Sequence, residues 1–325
     1  GEVQAAKSCW RRASGEVALF LARAHAKTSR FVVGEEAVWR RLLRTFANPD
    51  MVELSDKVIF REPLELACPH NRHSRALADL VARMRSDEHV KAAVRTLRGL
   101  FLDRPQALLH GDLHTGSVMF DPVDELAGAS SAPPSPMHGA PPPERPARTW
   151  IMDQEFAFMG PVAFDLGKWV GNLLLAAWGV WARGRGRGPA DAPDASPVSD
   201  ANSLEACIRR TACAFWEQYV EEFLSIALGS NSQHTGLESL ALKAECLAFL
   251  DGVQRQALGF AGIVMVRRLV GVAHVADMDS IPDDRDRDCA ELAALTQGVE
   301  LLQAFWRGER GEGWVTIEQA LLGQA

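Results

Sequence analysis

The chain has 325 residues, a formal net charge of −7 and a hydrophobic fraction of 47%. This length and composition allow one large domain or two ordinary ones around a sizeable core. The negative charge argues against binding of nucleic acid through a general basic surface. The one dense basic run, residues 182–188, lies in a predicted loop. We therefore expect no nucleic-acid partner.

The sequence also argues against membrane insertion and disulfide bonds. Its first residues lack the apolar core of a signal peptide. The most apolar run, 169–182, is shorter than the roughly 20 residues of a membrane-spanning helix, and it predicts a buried helix. Six scattered cysteines without a CxxC pair are typical of reduced thiols in a cytoplasmic protein. Because the first residue is glycine, we expect a trimmed chain or a fragment.

Helical periodicity dominates the chain. It predicts one or two helices between Ser74 and Leu102, and further helices at 17–29, 35–47, 164–182, 203–228, 237–258, 261–275, 288–307 and 314–323. Short strands are predicted at 58–60, 107–110, 117–120 and 149–153. Residues 122–148 and 183–202 have the composition of flexible insertions within a single domain, 1–325. Without the first insertion, SVMF (117–120) meets TWIMD (149–153) as a tight hairpin. The predicted fold class is mainly α with one small β-hairpin.

The segment HGDLHTGS (110–117) is similar in spacing to the protein-kinase catalytic loop, H-R-D-L-x-x-x-N. Asp112 then occupies the position of the aspartate that accepts the hydroxyl proton of the substrate, and Ser117 that of the metal-binding asparagine. His110 is expected to hold the loop in shape and His114 to line the site. A buried turn with polar caps is the alternative interpretation.

A second acidic motif follows the strand TWIM. Asp153 and Glu155 are two positions apart, so on an extended segment both project to one face. Carboxylates suit Mg²⁺ that is bound to phosphates, and Glu155 would offset the loss of the asparagine at Ser117. The flanking residues are apolar, so we expect this acid pair to be partly buried without a cation.

Three further polar residues lie among apolar neighbours. Asp165, at the predicted start of a helix, is expected first of all to be an N-cap. A second role expected of Asp165 is to brace the loop 110–117 by accepting backbone N–H bonds. Arg267 and Arg268 suit a phosphate or a carboxylate, because an unpaired guanidinium is costly in such surroundings. A salt bridge to a helical glutamate is the alternative for this pair.

Asp112-Leu113-His114 also has the D-x-H form that metallophosphoesterases use. Such a site needs further ligands, typically an Asn-His and a late pair of histidines. The remaining histidines of the chain show no such context. The kinase interpretation is therefore favoured.

Three segments together resemble the 5-methylthioribose kinase family, within the aminoglycoside-phosphotransferase and choline-kinase-like group. They are HGDLHTGS (110–117), DQEFAFMGPVAFDLGKWVGNLLLA (153–176) and MVRRLVGVAHVADMDSI (265–281), and weaker matches extend the resemblance to about 17–292. The resemblance implies the helical C-terminal lobe of a protein-kinase-like fold. It also implies ATP-dependent phosphorylation of the sugar methylthioribose at its 1-hydroxyl, in methionine salvage, by a cytoplasmic and commonly dimeric enzyme.

Carried over position by position, the resemblance implies roles for five residues. Asp112 would be the base that acts on the 1-hydroxyl. Asp153 and Glu155 would hold Mg²⁺ and, through it, the phosphates of ATP. Arg267 and Arg268 would reach the sugar or its developing phosphate.

The sequence departs from the family pattern in three places. Gln154 stands where the family usually has proline, and Val264 stands where it usually has lysine. Only about 106 residues precede ALLHGD, and they contain no glycine-rich loop and no strand lysine. We therefore expect the C-terminal lobe alone, without the N-terminal ATP lobe and with little activity by itself. The alternatives are a truncated or degenerate lobe that acts as a binding module and, less favoured, another small-molecule kinase of the same group.

Overall fold

The computed structural model describes residues 2–120, 149–185, 202–231, 233, 236–312 and 316–322. Helices make up most of this part of the chain, as predicted, and short strands complete it. The helices are α1 (Glu2–Thr28), α2 (Glu36–Thr45), α3 (Pro49–Ser55), α4 (Ala78–Ser86), α5 (Glu88–Asp103), α6 (Val162–Arg185), α7 (Leu204–Gly229), α8 (Leu237–Val270), α9 (Ala276–Asp279), α10 (Asp284–Glu309) and α11 (Ile317–Leu322). The strands are β1 (Ala107–Leu109), β2 (Val118–Phe120), β3 (Thr149–Ile151) and β4 (Phe158–Gly160).

The strands form two small antiparallel pairs on either side of the loop 110–117. β1 pairs with β4, so that Leu108 lies opposite Met159. β2 pairs with β3, so that Met119 lies opposite Trp150, and this pairing confirms the predicted hairpin. The first predicted insertion and residues 186–201 of the second lie outside the described residues. β4 was not predicted, and it returns the chain after the acidic motif to the start of α6.

Helix α6 lies at the centre of the helical body. Every residue from Val162 to Gly179 is buried, as expected of a helix that is apolar on nearly all sides. α6 packs against α7, α8 and α10. A Cβ atom added at Gly167 would lie 2.6 Å from the carbonyl oxygen of Ala257 on α8. This glycine therefore lets the backbones of α6 and α8 touch.

The predicted break between helices 237–258 and 261–275 is wrong, because α8 runs without interruption from Leu237 to Val270. Within it, Gly262 lies where α8 crosses α10. A Cβ atom at this position would lie 2.6 Å from the carbonyl oxygen of Gly298. The glycine thus serves close helix packing and does not end the helix.

The predicted strand at 58–60 is also wrong. Residues Asp56–Arg61 form a π-helical turn that continues α3. The ring of Phe60 packs against Phe101, Phe164 and Phe260, which come from three distant segments. A short apolar run fits a buried turn as well as a strand, and these distant aromatic partners favour the turn.

Other boundaries differ from the prediction by smaller amounts. α1 begins at Glu2, well before the predicted start at residue 17. The long pattern from Ser74 is two α-helices, because Asp87 accepts backbone hydrogen bonds from His89 and Val90 and so caps α5. α6 extends to Arg185, so the first residues of the second predicted insertion are helical.

The six cysteines are free thiols. Among the described residues, no helix combines the length and the apolar character that crossing a membrane requires. The apolar run 169–182 lies inside the buried helix α6, as predicted.

Candidate active site

The loop from His110 to Ser117 leads from β1 to β2 and lies against the segment that follows β3. Gly111 has a φ of 85°, a conformation that glycine adopts without strain. A Cβ atom at Gly111 would lie 2.1 Å from the carbonyl oxygen of Phe156. The loop and the segment after β3 are therefore in direct backbone contact, and the two acidic motifs meet there.

The side chain of His110 joins the same two segments. Its Nε2 atom lies 2.8 Å from the carbonyl oxygen of Met152, and its Nδ1 atom lies 3.3 Å from the backbone nitrogen of Asp112. The second bond requires Nδ1 to accept, so the first requires a proton on Nε2. His110 is buried, and its two bonds hold the loop in shape.

Asp165 was predicted first of all to be an N-cap, and that prediction is wrong. α6 begins three residues earlier, which places Asp165 inside its first turn. The carboxylate accepts hydrogen bonds from the backbone N–H groups of His110 (2.6 Å) and Gly111 (2.9 Å). Burial raises the pKa of Asp165, but the hydrogen bond and charge of His25 outweigh it and lower the pKa. This fully buried residue braces the loop, which was the second role expected of it.

Asp112 forms an ion pair with Lys168 of α6. The Lys168 ammonium donates to Oδ1 of Asp112 and, over 3.2 Å, to the carbonyl oxygen of Gly111. Burial alone would raise the pKa of Asp112, but the charge and hydrogen bond of Lys168 hold it well below its ordinary value. Asp112 is therefore ionised at neutral pH. Its side chain is 20% exposed, so it is accessible to a bound molecule.

Lys168 has no predicted role, although the sequence contains a signal for it. Between residues 162 and 182 the only charged residues are Asp165 and Lys168. Their spacing of three places them on the same face of a helix. The side chain of Lys168 is 3% exposed. Burial lowers its pKa to about 8, although the charge of Asp112 acts to raise it.

His114 and Ser117 close the other end of the loop. The Ser117 hydroxyl accepts from the backbone N–H of His114 (2.9 Å) and donates to its carbonyl oxygen (2.8 Å). His114 Nε2 lies 3.7 Å from Oδ2 of Asp112. Burial lowers the pKa of His114 to about 4, so its imidazole is neutral at pH 7. Ser117 is thus engaged within the loop, whereas His114 borders the exposed side of Asp112.

Arg267 and Arg268 lie in the last turn of α8, and their charges act on Asp112. The Nε atoms of both arginines are buried without a hydrogen-bond partner. Burial lowers the pKa of Arg267 to about 9, and the charge of Arg268 acts in the same direction. Arg268 donates to the carbonyl oxygen of Ala273 (3.0 Å), and neither arginine forms an ion pair with a described glutamate. Together with Lys168, three cations act on the carboxylate of Asp112, and the free guanidinium donors suit an anion.

Asp153 and Glu155 follow β3 as predicted, but their predicted burial and conformation are wrong. Both residues are exposed. Asp153 has a left-handed φ of 69° and a 3₁₀ turn covers Gln154–Phe156, because the chain must turn back here towards β4. Within the described part of the chain, neither carboxylate has a hydrogen-bond or ion-pair partner. Free carboxylate oxygens of this kind fit Mg²⁺.

Asp277, on α9, is a second residue without a predicted role. The hydroxyl of Thr115, in the loop 110–117, donates a hydrogen bond to its carboxylate. Burial raises the pKa of Asp277, although the charge of Arg183 and the hydrogen bond from Thr115 act to lower it. The loop 110–117 therefore has a second carboxylate beside it, at Thr115.

A cavity of about 230 Å³ adjoins the loop at Thr115. Its lining is almost wholly apolar and comes from α1, β2 and α6. The lining residues besides Thr115 are Ala6, Cys9, Trp10, Ala13, Val118 and Trp169. A cavity of this size suits a small apolar group.

The hairpin β2–β3 has one exposed apolar face. Met119 and Trp150 are cross-strand partners and are 55% and 42% exposed. Met152 lies two residues after Trp150, hence on the same side, and is 39% exposed. This face leads directly to Asp153, so an apolar surface and a free carboxylate lie side by side.

The metallophosphoesterase alternative requires a cluster of metal ligands around Asp112. Among the described residues, the one such group of three is Glu62, Cys68 and His70, whose ligand atoms lie within 4.8 Å of one another. The Glu62 carboxylate already lies 3.5 Å from the Lys57 ammonium and 3.0 Å from His70. The group does not include Asp112, and its carboxylate is already paired with Lys57, so it does not support the metallophosphoesterase alternative.

Comparison with known proteins finds no matching family model, but it finds curated relatives. The chain is 30% identical to a methylthioribose kinase of Yersinia enterocolitica over 91% of its own length and 64% of the relative. It is also 30% identical to a methylthioribose kinase of Enterobacter sp. strain 638, over 94% of this chain and 66% of the relative. The identity to a methylthioribose kinase of Bacillus mycoides is 30% as well, over 89% of this chain and 61% of the relative. The resemblance predicted from the three motifs is thus confirmed. The chain spans slightly less than two thirds of the length of these relatives.

Proposed function

From the sequence relationship of this chain to the methylthioribose kinases, we propose that it transfers the γ-phosphate of ATP to the 1-hydroxyl of 5-methylthioribose, a reaction of methionine salvage. The relationship covers about nine tenths of the chain. The observation that carries the proposal is the carboxylate of Asp112, which Lys168 keeps ionised within the matched segments.

The proposal includes a fold assignment finer than mainly α. The helical body would be the C-terminal lobe of a protein-kinase-like fold. Its support is the order of parts: a loop with an ionised aspartate, then a two-stranded hairpin, then two free carboxylates at the exit of that hairpin. This order is the one that phosphoryl transfer uses in kinases.

In the proposed reaction Asp112 is the base. As the 1-hydroxyl oxygen bonds to the γ-phosphorus, the hydroxyl proton passes to Oδ2 of Asp112 and the bond from phosphorus to the ADP oxygen breaks. Oδ2 is the available oxygen, because Lys168 engages Oδ1. Neutral His114 borders the same oxygen and does not compete with Lys168 as a cation.

Asp153 and Glu155 are proposed to hold Mg²⁺, which when bound would neutralise charge on the ATP phosphates. Their free and exposed carboxylates support this role. Ser117 is left out of the proposed ligand set, because its hydroxyl is engaged by the loop backbone. The exposed apolar face of the hairpin supports an adjacent position for the purine ring of ATP, through contact with Trp150.

The sugar is proposed to lie on the other side of Asp112. Arg267 and Arg268 would bind the sugar or its new phosphate, since their guanidinium groups have unused donors. Asp277 would accept hydrogen bonds from the sugar hydroxyls. The apolar cavity beyond Thr115 would take the methylthio group, because thioether sulfur packs favourably against aromatic rings.

The proposal also places the protein in the cytoplasm, which the free thiols support. Because the family is commonly dimeric, we also propose that the chain forms a homodimer. Light scattering of the purified chain tests this assembly directly, since a mass near twice the 35.5 kDa of one chain is expected.

The decisive experiment is a single-turnover assay, with the chain in excess over labelled ATP so that slow transfer is still detected. We expect Mg²⁺-dependent phosphorylation of methylthioribose that Asp112→Asn reduces by roughly 10²–10⁴-fold. The matched control is Asp103→Asn, at an exposed aspartate that ends α5. Absence of Asp112-dependent transfer contradicts the proposal. Retained binding of methylthioribose in calorimetry would then favour the non-catalytic binding module.

A further inference from the structure

We propose that Lys168 is a positioning residue for Asp112, which fixes Oδ1 of this carboxylate so that Oδ2 alone faces the acceptor hydroxyl. The identity of the acceptor rests on the proposed function, whereas the contact between Lys168 and Asp112 does not.

The geometry gives Lys168 no direct access to a substrate. Its side chain is 3% exposed, and its ammonium donates to Oδ1 of Asp112 and to the carbonyl oxygen of Gly111. The two acceptors belong to consecutive residues of the loop, so one ammonium fixes both the backbone and the side chain at this point. Lys168 therefore acts through Asp112 and does not contact the reacting atoms.

The position of Lys168 is itself fixed by helix packing. The residue before it, Gly167, brings the backbone of α6 against that of α8. The residue after it, Trp169, donates a hydrogen bond from its indole N–H to the hydroxyl of Ser14 on α1 (3.0 Å). A side chain held between two such neighbours is suited to orient a loop residue within a fraction of an ångström.

Without Lys168, the arginine pair would compete for the base. Arg267 and Arg268 act on Asp112 by charge and have buried Nε atoms without partners. A carboxylate free to rotate would pair with one of these guanidinium groups. Such a pair would remove the base from the acceptor and occupy the donors that suit an anion. Lys168 thus keeps the base and the anion-binding groups apart.

The first test is a titration that needs no catalytic activity. The carboxyl ¹³C signal of Asp112 is followed against pH by NMR in the wild-type chain, Lys168→Met and Lys168→Arg. We expect the pKa of Asp112 to rise by about one unit or more in Lys168→Met, because a nearby cation is lost while burial remains. Lys168→Arg keeps a cation and should largely restore the low value. An unchanged titration in Lys168→Met overturns the proposal.

The matched control for this titration is Asn172→Leu. Asn172 lies one turn later on α6, is buried, and donates to the carbonyl oxygen of Lys168 (2.8 Å) without reaching Asp112. We expect the titration of Asp112 to be unchanged in this variant. An equal shift in Asn172→Leu would mean that any disturbance of α6 moves the carboxylate, and would overturn a specific role for Lys168.

The second test separates positioning from binding by kinetics. Misplacement of the base should lower kcat by roughly 10- to 100-fold in Lys168→Met, while KM for the acceptor changes little. Lys168→Arg should recover a large part of kcat. A rise in KM at constant kcat overturns the proposal. If the wild-type chain transfers no phosphate, the proposed function fails, and the titration still decides whether Lys168 holds Asp112.

Discussion

His25 on α1 donates a hydrogen bond from Nε2 to Oδ2 of Asp165 on α6 over 3.3 Å, although 140 positions separate the two residues. Both side chains are fully buried. The Nδ1 atom of His25 in turn lies 3.0 Å from the hydroxyl oxygen of Tyr219 on α7, within hydrogen-bond distance. Because Asp165 also holds the backbone of His110 and Gly111, three helices together fix the loop that carries Asp112.

Asp165→Asn should therefore destabilise the fold by about 3–5 kcal/mol, since it breaks a buried charged network. The amide would turn an N–H group towards at least one of the present donors. Urea denaturation of both proteins measures the change. Asp79→Asn is the matched control, because Asp79 is an exposed aspartate in the first turn of α4. A decrease in the free energy of unfolding no larger than that of the control would contradict the bracing role of Asp165.

Arg267→Met should stabilise the fold by on the order of 1 kcal/mol, because it removes a partly buried guanidinium whose buried Nε atom has no hydrogen-bond partner. The same change should weaken binding of phosphate or of the sugar phosphate. Thermal unfolding and calorimetry measure the two effects. The control is Arg255→Met, which removes an arginine paired with Asp251 on the same helix. A lower melting temperature in Arg267→Met, beyond that of the control, would show that this guanidinium is satisfied.

His114 should make stability fall as the pH drops. Its pKa is about 4 in the folded chain against 6.5 for an ordinary histidine, with burial as the main cause. Between these values the unfolded chain binds a proton that the folded chain does not, so unfolding becomes easier as acid is added. Urea denaturation at about pH 7 and about pH 5 should show a smaller drop in His114→Gln. His89→Gln, at an exposed histidine of α5, should keep the wild-type drop.

Cys9→Phe should fill the apolar cavity that adjoins Thr115. If the cavity holds the methylthio group, KM for methylthioribose should rise by roughly tenfold or more, while KM for ribose stays nearly constant. Initial rates with the two sugars measure the difference. Gln4→Phe places the same ring on an exposed position of α1 and serves as the control. An equal change for both sugars would remove the cavity from the proposed sugar site.

The hairpin and the order of the motifs could be predicted from sequence, because their signals are local. The alternation in SVMF and TWIMD, with the composition of the residues between them, sufficed to pair β2 with β3. The ion pair of Asp112 and Lys168 could not be predicted in this way. Its partners are 56 positions apart, and their meeting depends on how α6 packs against the loop.

Asp165 illustrates the same limit. An acid near a helix start fits an N-cap locally, and only the position of the loop shows that its oxygens serve His110 and Gly111. The exposure of Asp153 and Glu155 was also mispredicted, because their apolar neighbours suggested burial. A 3₁₀ turn and a left-handed residue direct both carboxylates outwards, and the need for that turn comes from the unpredicted strand β4.

The backbone contact at Gly167 has a consequence for the placement of Lys168. Gly167 directly precedes Lys168, and the helix that it touches carries Arg267 and Arg268 near its end. A Cβ atom at Gly167 would lie 2.5 Å from the Cβ atom of Phe260 and 2.6 Å from the carbonyl oxygen of Ala257, both on α8. An alanine at position 167 would therefore push α6 away from α8 directly beside Lys168. The placement of Lys168 against Asp112 thus depends in part on a residue that has no side chain.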